Sequence, residues 1–339
     1  MSSLEGRRIL VTGGAGFIGS QLVTTLLDTT GAAHVRVLDS LATGHLENLA
    51  HLHRHVEAGR LQVRVGDVVR DADEALTDID VVFHLACLGV RHSLHDPMGN
   101  HRVNAGGALT LLQAALRRDV ARFVHVSSSE VYGTARYAPM DETHPTYPET
   151  VYGGSKLAGE AYARAHWRTY GMPVVVARPF NTYGPRSHFE GDSGEVIPRT
   201  IVRALCGLPA LVFGDGEQTR DFTHVSDTAS GLVALADCDA AVGETVNLGS
   251  GSEVSINDLA ILVAGLVGLE GPAATHLEAR PGDVRRLIVD DSLMRSLTGW
   301  RPSVDFAAGV EDLVAWFRTR QQPPQEMLAR IEDRNWVPA

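Results

Sequence analysis

The chain has 339 residues, of which 44% are hydrophobic and 21% charged, so it can bury a large core as one domain or two lobes. Its formal charge of -11 disfavours nucleic acid or an anionic membrane surface as a partner, because both attract basic surfaces. No apolar run approaches the roughly 20 residues of a membrane span, and the N-terminus has no signal-peptide pattern. Three cysteines without metal-ligand spacing suggest free thiols in a reducing compartment. We therefore expect a soluble cytoplasmic enzyme.

The first recognisable unit is a β-rich run from Arg8 to Thr12, a glycine-rich turn, and an amphipathic segment from Ser20 to Leu27. Within the turn, Gly13, Gly16 and Gly19 keep a three-residue spacing. This order predicts strand, turn and helix, in which glycines let the backbone approach a pyrophosphate and the helix N-terminus binds it. A purely structural glycine turn is the alternative.

A second predicted strand, Val35 to Leu38, ends at Asp39, twenty residues after Gly19. A carboxylate at this place accepts hydrogen bonds from an adenosine ribose. It also disfavours the 2′-phosphate of NADP through like-charge repulsion. The pattern therefore predicts a dinucleotide site with NAD as the preferred cofactor.

Two further strands are predicted at Leu61 to Val65 and Val81 to Leu85, separated by helical stretches. Such alternation predicts a parallel, doubly wound sheet whose ligands bind at the carboxyl ends of the strands. Asp67 follows the first of these strands. It is a candidate acceptor for the adenine amino group, with a helix-capping role as the alternative.

Polar residues also follow the next buried strand, Phe123 to Val126, which comes after a largely apolar helix from Ala105 to Arg117. The sequence there is Ser127-Ser128-Ser129-Glu130-Val131-Tyr132-Gly133. Three hydroxyls and a carboxylate are badly placed for a core at this edge. They are well placed for a reacting ligand.

Tyr152 and Lys156 lie four residues apart on a predicted helix that runs to about Tyr170. At that spacing both side chains occupy one helical face. An ammonium beside a phenol favours the phenolate, so we expect the pKa of Tyr152 to fall and the phenol to transfer protons.

In the remaining chain, predicted strands and helices alternate less regularly. Val174 to Arg178 is the next strand, Phe180 to Arg186 is predicted to break regular structure, and Ile256 to Val267 is a helix. His51, His53 and His55 lie in a polar connection, which predicts a solvated segment and no metal site.

The predicted fold class is α/β, a Rossmann-type doubly wound parallel sheet with a smaller mixed α/β lobe. The cofactor domain is predicted over 1–180, completed by part of 225–260. The second lobe is predicted mainly from 181–339, where the regular alternation weakens.

Four motifs occur in a fixed order: Thr-Gly-Gly-Ala-Gly-Phe-Ile-Gly, Ser-Ser-Ser-Glu-Val-Tyr-Gly, Tyr-x-x-x-Lys and Arg-Pro-Phe-Asn-Thr-Tyr-Gly-Pro-Arg. Together with Gln218-Thr219-Arg220-Asp221-Phe222 they resemble the extended short-chain dehydrogenase/reductase family. The resemblance is to its nucleotide-sugar epimerases, dehydratases and decarboxylases. It covers residues 8 to about 315.

This resemblance implies a shared first step with NAD bound. Tyr152, as phenolate, takes the proton of the sugar 4-hydroxyl while the C4 hydrogen leaves as hydride. Lys156 lowers the pKa of Tyr152 and holds the nicotinamide ribose, and Ser128 binds the 4-oxygen. The family also pairs the helices near 104–117 and 152–170 into a dimer, so a homodimer is expected.

The resemblance further implies which residues contact the ligands. The cofactor contacts are Gly13, Gly16, Phe17, Ile18, Gly19, Asp39, Asp67, Val68, Leu85, Ala86, Tyr152 and Lys156. The contacts to the nucleotide-diphosphate sugar are Arg91, Ser128, Asn181, Val196, Arg220, Arg280 and Asp283. For Arg91, which meets a substrate carboxylate in this interpretation, a surface arginine capping the next helix is the alternative.

The fate of the 4-keto sugar depends on Ser129 and Glu130. The related 4,6-dehydratases carry Asp-Glu here, where the aspartic acid protonates the 6-hydroxyl and the glutamate removes the C5 proton. Serine is a poorer proton donor, which disfavours dehydration, whereas UDP-glucuronate decarboxylases do carry Ser-Glu.

Many 4-epimerases need only the serine, the tyrosine and a roomy pocket. We therefore predict an NAD-dependent 4-epimerase of UDP-glucose or UDP-glucuronate type. The alternatives are a UDP-glucuronate decarboxylase or an NDP-hexose 4,6-dehydratase. A more distant alternative is a non-catalytic NAD-binding sensor. Such a protein would be expected to have lost the catalytic residues Ser128, Tyr152 and Lys156, which this chain retains.

Overall fold

The computed structural model describes residues 3–279 and 284–333. The strands are β1 (Arg8–Thr12), β2 (His34–Asp39), β3 (Leu61–Val65), β4 (Val81–His84), β5 (Arg122–Val126), β6 (Val174–Pro179), β7 (Asn181–Tyr183), β8 (Ala210–Phe213), β9 (Thr219–His224), β10 (Thr245–Leu248), β11 (Glu253–Ser255), β12 (Ala274–Leu277) and β13 (Arg286–Leu287).

The helices are α1 (Phe17–Thr29), α2 (His53–Glu57), α3 (Ala72–Ala75), α4 (His92–His95), α5 (Pro97–His101), α6 (Gly107–Arg117), α7 (Val151–Tyr170), α8 (Val196–Leu205), α9 (Val225–Asp237), α10 (Ile256–Val267), α11 (Ser292–Thr298), α12 (Phe306–Arg318) and α13 (Pro324–Leu328). Within the described ranges, no helix is both long and apolar enough to cross a membrane.

The central sheet has seven parallel strands in the order β10-β6-β5-β4-β1-β2-β3. The chain runs outward from β1 to β3 and then returns to the other side of β1, so the strand order reverses between β1 and β4. A crevice opens at the carboxyl ends of the strands at such a point. The predicted parallel, doubly wound sheet is confirmed.

Helices cover both faces of this sheet, and its inner strands β1, β4, β5 and β6 are accordingly buried along nearly their whole length. On one face α1 and α9 pack together and bury Leu22, Leu26 and Leu232 completely. On the other face α6 and α7 pack over a second core that includes Leu111 and Phe123.

A second lobe is built mainly from residues after β6, apart from α9 and β10, which belong with the central sheet, and it has its own core. Helices α8, α10 and α12 pack around Ile201, Leu259 and Leu313, which are fully buried. Two small sheets complete this lobe, one of β8 with β12 and one of β7, β9, β11 and β13.

The segment after β6 differs from its prediction. We expected Phe180 to Arg186 to lack regular structure, but Asn181–Tyr183 forms β7, which pairs in parallel with β9. The partner strand lies some forty residues away in sequence, and its position cannot be read from a three-residue segment. Backbone groups that approach a second strand are stabilised by pairing with it.

Candidate active site

A cavity of about 1450 Å³ opens at the carboxyl ends of the central strands and extends to the second lobe. Nineteen of the predicted site residues line it: Gly13, Gly16, Phe17, Ile18, Gly19, Asp39, Asp67, Val68, Leu85, Ala86, Arg91, Ser128, Ser129, Glu130, Tyr152, Lys156, Asn181, Val196 and Arg220. The other two, Arg280 and Asp283, lie outside the described residues. The residues predicted to share one site are therefore brought together.

The glycine turn leaves no room for side chains. A Cβ on Gly13, which has a φ of +72°, would lie 2.8 Å from the backbone nitrogen of Ala86, and one on Gly19 would lie 2.0 Å from the carbonyl oxygen of Gly13. Helix α1 starts at Phe17, and its N-cap residue Gly16 provides no side-chain cap. The first N–H groups of a helix lack intrahelical partners, so this end of the cavity suits an anion.

Two carboxylates end the neighbouring strands β2 and β3. Asp39 is buried and accepts hydrogen bonds from the backbone nitrogens of Ala15, at 2.9 Å, and Leu41, at 2.8 Å. Asp67 accepts from the backbone nitrogen of Val69, at 2.8 Å, and from Arg102, at 3.1 Å. Although desolvation opposes it, these donors hold the pKa of Asp67 below its usual value.

Tyr152 and Lys156 lie on α7 and face the end of β5. Lys156 is buried, and its ammonium donates to the carbonyl oxygen of Val126 at 2.6 Å. The Tyr152 phenol lies near the hydroxyl of Ser128, the second residue after β5, which acts to lower the pKa of the phenol. The helix thus presents a phenol and an ammonium to a strand end that carries a hydroxyl.

The expected fall in the pKa of Tyr152 is not what this geometry produces. Burial raises its pKa, the nearby groups Cys87 and Glu130 raise it further, and the hydrogen bond from Ser128 lowers it only in part. The prediction was wrong because it considered Lys156 alone. In the fold this ammonium donates to a backbone carbonyl, and the phenol sits in a desolvated place.

Ser129 and Glu130 begin a short 3₁₀ turn after β5. Ser129 is buried at the cavity wall, and the backbone nitrogen of Glu130 donates to Ser128 Oγ at 3.2 Å. Glu130 also lines the cavity and acts electrostatically on Tyr152. A carboxylate therefore stands near the phenol, and a hydroxyl occupies the preceding position.

The predicted substrate contacts come from the second lobe and its borders. Asn181 starts β7, and its buried Nδ2 has no hydrogen-bond partner among the described residues, so an amide donor remains for a ligand. Arg220 on β9 donates to the carbonyl oxygens of Thr219, at 2.8 Å, and Val284, at 2.6 Å. Arg91 stands at the N-cap of α4 and lines the cavity.

Some cavity residues were missed in the sequence. Glu195 precedes α8, and burial raises its pKa to about 8, with the opposing charge of Arg91 lowering it. The end of β8 contributes Phe213, beside Gln218, to the wall near Arg220. Gln218 belongs to the Gln218-Thr219-Arg220-Asp221-Phe222 motif, and Glu195 directly precedes the predicted contact Val196, so the position of each in the sequence could have identified it.

Comparison with known proteins agrees with this geometry. The matching family is described as GDP-mannose 4,6 dehydratase, and the match covers residues 10–313. A putative UDP-glucose 4-epimerase of Methanocaldococcus jannaschii is 36% identical over 319 residues, covering 93% of this chain and 99% of the relative.

Two solved structures show the same likeness, and both contain NAD. The dTDP-glucose 4,6-dehydratase DesIV of Streptomyces venezuelae is 33% identical with a TM-score of 0.85, covering 92% of this chain and 97% of that one. The UDP-glucuronic acid 4-epimerase of Bacillus cereus, solved with UDP-glucuronic acid and NAD, is 31% identical with a TM-score of 0.84, covering 92% and 99%.

These relatives are enzymes with different outcomes on one scaffold, epimerisation and dehydration, and their identities to this chain differ little. Overall similarity therefore does not decide between the two reactions. It does confirm the predicted family and the enzymatic class. The chain belongs to the GDP-mannose 4,6-dehydratase family, within the extended short-chain dehydrogenase/reductase group of nucleotide-sugar epimerases and dehydratases.

Proposed function

We propose that the protein is an NAD-dependent nucleotide-sugar 4-epimerase that works through a transient 4-keto sugar of UDP-glucose or UDP-glucuronate type. The observation that carries the proposal is the convergence of Ser128, Tyr152 and Lys156 on one cavity, with Ser129 at the place of the dehydratase acid. A buried serine hydroxyl is a far weaker acid than a carboxylic acid. Elimination of a 6-hydroxyl would therefore lack its proton donor.

The proposed chemistry assigns one task to each side chain. Tyr152 removes the proton of the 4-hydroxyl and later returns it to the 4-oxygen. Ser128, whose hydroxyl lies near the Tyr152 phenol, donates to the same oxygen as it becomes a carbonyl. The keto sugar is proposed to turn within the cavity and present its other face to the returning hydride.

The glycine turn and Asp39 are proposed to hold NAD, which accepts and returns the hydride when bound. The uncapped start of α1 suits its pyrophosphate, and the Asp39 carboxylate suits a ribose diol. Lys156 is proposed to hold the nicotinamide ribose. Asn181, Val196 and Arg220 are proposed to hold the nucleotide-diphosphate sugar, with an arginine fork suited to its diphosphate.

Gly19→Ala tests the cofactor assignment. The new Cβ would lie 2.0 Å from the Gly13 carbonyl oxygen, so the turn must shift. Loss of one charge-assisted hydrogen bond of about 1.5–3 kcal/mol should weaken NAD binding by about tenfold or more. Calorimetric titration of NAD into cofactor-depleted protein measures this.

The matched control is Gly265→Ala in α10, where the added Cβ meets no atom within 4 Å. This variant should bind NAD like the wild type, and it should gain about 0.5–1 kcal/mol of stability because alanine is the better helix former. Equal NAD affinities for Gly19→Ala and the wild type would contradict the assignment.

A lyase is the second candidate, and Glu130 favours it. Its carboxylate lines the cavity and acts on Tyr152, so it is placed as a base for a C5 proton. In a decarboxylase the same Ser-Glu pair accompanies loss of a substrate carboxylate, and Arg91 is the candidate cation for that group.

A product assay separates these candidates. The purified protein is incubated with UDP-glucose, UDP-glucuronate and dTDP-glucose, and the products are identified by NMR. We expect a C4 epimer from at least one UDP-sugar. Release of carbon dioxide would support a decarboxylase, a 4-keto-6-deoxy product would support a dehydratase, and either would overturn the epimerase proposal.

A homodimer is also proposed, in which helices α6 and α7 of each subunit form the interface. These two helices pack on each other, and Leu109 and Trp167 on them remain partly exposed, at 38% and 37%. Burial of such apolar surface drives association. Sedimentation equilibrium tests the proposal, and a monomer at micromolar concentration would contradict it.

A further inference from the structure

Two consecutive residues at the end of β5 are hydrogen-bonded to different side chains of α7. The carbonyl oxygen of Val126 accepts from Lys156 Nζ at 2.6 Å. Ser127 Oγ donates to Glu160 Oε1 at 2.6 Å, and the hydroxyl of the next residue, Ser128, lies close enough to Tyr152 to act on its pKa. Tyr152, Lys156 and Glu160 are spaced by four residues, so one helical face presents all three side chains to the strand end.

Glu160 is the most firmly held of the three helix residues. It is 0% exposed, and Arg178 binds both of its carboxylate oxygens, through Nε at 2.9 Å and through an Nη at 2.7 Å. Arg164 adds a bond of 3.0 Å to Oε2. A carboxylate with both oxygens occupied by a planar fork cannot rotate, so it is a rigid acceptor for Ser127.

The Ser127 hydroxyl needs such an acceptor because it is buried directly after the last residue of β5. The backbone nitrogen of Ser127 donates to the carbonyl oxygen of Ala177 at 2.7 Å, and the hydroxyl donates to Glu160. Ser127 itself is 5% exposed, so water does not replace the carboxylate.

We propose that Glu160 is a positioning residue for the proton-transfer centre: by holding Ser127 it sets Ser128 against Tyr152, so that strand and helix keep one register at the reacting atoms. The inference rests on the proposed function, in which both Ser128 and Tyr152 hydrogen-bond the 4-oxygen of the sugar. It holds equally for epimerisation, decarboxylation or dehydration, since each branch begins with removal of the 4-hydroxyl proton. Glu160 touches neither ligand in this arrangement.

Ser127→Ala tests the proposal without leaving Arg178 unpaired. We expect kcat to fall about tenfold or more with KM little changed, since a misplacement of about 1 Å near the reacting atoms costs up to about 10²-fold. A displaced Ser128 bonds the phenolate less well, so the pKa of Tyr152 rises and the ascending limb of kcat moves to higher pH. The difference in kcat between Ser127→Ala and the wild type should therefore become smaller as pH increases. If the variant lost activity only because less of it folds, its kcat would be reduced by the same factor at every pH.

A second measurement does not depend on turnover. Hydrogen exchange of the backbone amides over 126–131 should be faster in Ser127→Ala than in the wild type, because the strand end loses its tie to α7. Ser127→Thr keeps the hydroxyl and should restore both kcat and the slow exchange. Hydrogen exchange still tests the positioning role if the wild type converts none of the three sugar nucleotides. That result would contradict the proposed function but not the role of Glu160 in holding Ser127.

Arg164→Gln is the matched control. Arg164 bonds the other oxygen of Glu160 and does not line the cavity, so this variant disturbs the same carboxylate but leaves Ser127 in place. It should keep the kcat–pH profile and the exchange of the wild type. The proposal is overturned if Ser127→Ala behaves like the wild type in both measurements, or if Arg164→Gln loses as much as Ser127→Ala.

Discussion

Tyr152→Phe should lower kcat by about 10³-fold, within the 10²–10⁴-fold range of general acid–base catalysis, while the protein keeps its NAD. The substitution removes only the phenolic oxygen, which is the proposed acceptor for the 4-hydroxyl proton. Ser128 keeps its position, because its neighbour Ser127 still bonds Glu160 and its own Oγ still accepts from the backbone nitrogen of Glu130. The measurement is the rate of product formation together with the NAD content of the purified variant.

Tyr170→Phe is the matched control on the same helix, because its side chain is 56% exposed and does not line the cavity. It should leave kcat within about twofold of the wild type, since surface substitutions usually change little. If Tyr152→Phe turned over at the wild-type rate, proton removal by this phenol would be refuted for every branch of the proposed function.

Glu160→Ala should destabilise the protein by about 3–5 kcal/mol, because it leaves a buried arginine without its partner. Arg178 is 3% exposed, and its remaining side-chain bond is to the Tyr132 hydroxyl at 2.8 Å. A neutral hydroxyl does not compensate a buried guanidinium. Urea unfolding, followed by circular dichroism, measures the loss in free energy of unfolding.

Asp73→Ala provides the comparison at the surface. Both carboxylate oxygens of Asp73 accept from one Nη of Arg117 at 2.9 Å, but the side chains of Asp73 and Arg117 are 63% and 56% exposed. Exposed pairs contribute about 0–1 kcal/mol because water screens them. Equal losses for Asp73→Ala and Glu160→Ala would show that burial is not what makes the Glu160–Arg178 pair important.

The sequence alone predicted those parts of the fold whose structure depends on residues close together along the chain. The turn between Gly13 and Gly19 follows β1 directly, and Asp39 ends the next strand. Such patterns are local because strand, turn and helix formation depend on neighbouring residues. The parallel sheet also followed from the alternation of strands and helices.

About two thirds of the predicted site residues follow strands of the central sheet, and the topology explains why they meet. Parallel strands end at one edge of the sheet, so residues after β1, β2, β4 and β5 must line the same crevice. Glu195 was missed although the next residue, Val196, was predicted, because only the packing of the second lobe shows that the Glu195 carboxyl is buried at the cavity.

The sequence by itself thus determined the cofactor turn, the Tyr152–Lys156 pair on one helical face and the hydroxyl-rich end of β5. Only the tertiary structure decided that Lys156 bonds a carbonyl, that burial raises the pKa of Tyr152, and that Glu160 holds Ser127. The reason is physical: helix and strand patterns arise from neighbouring residues, whereas desolvation and hydrogen-bond partners depend on groups that folding brings from distant parts of the chain.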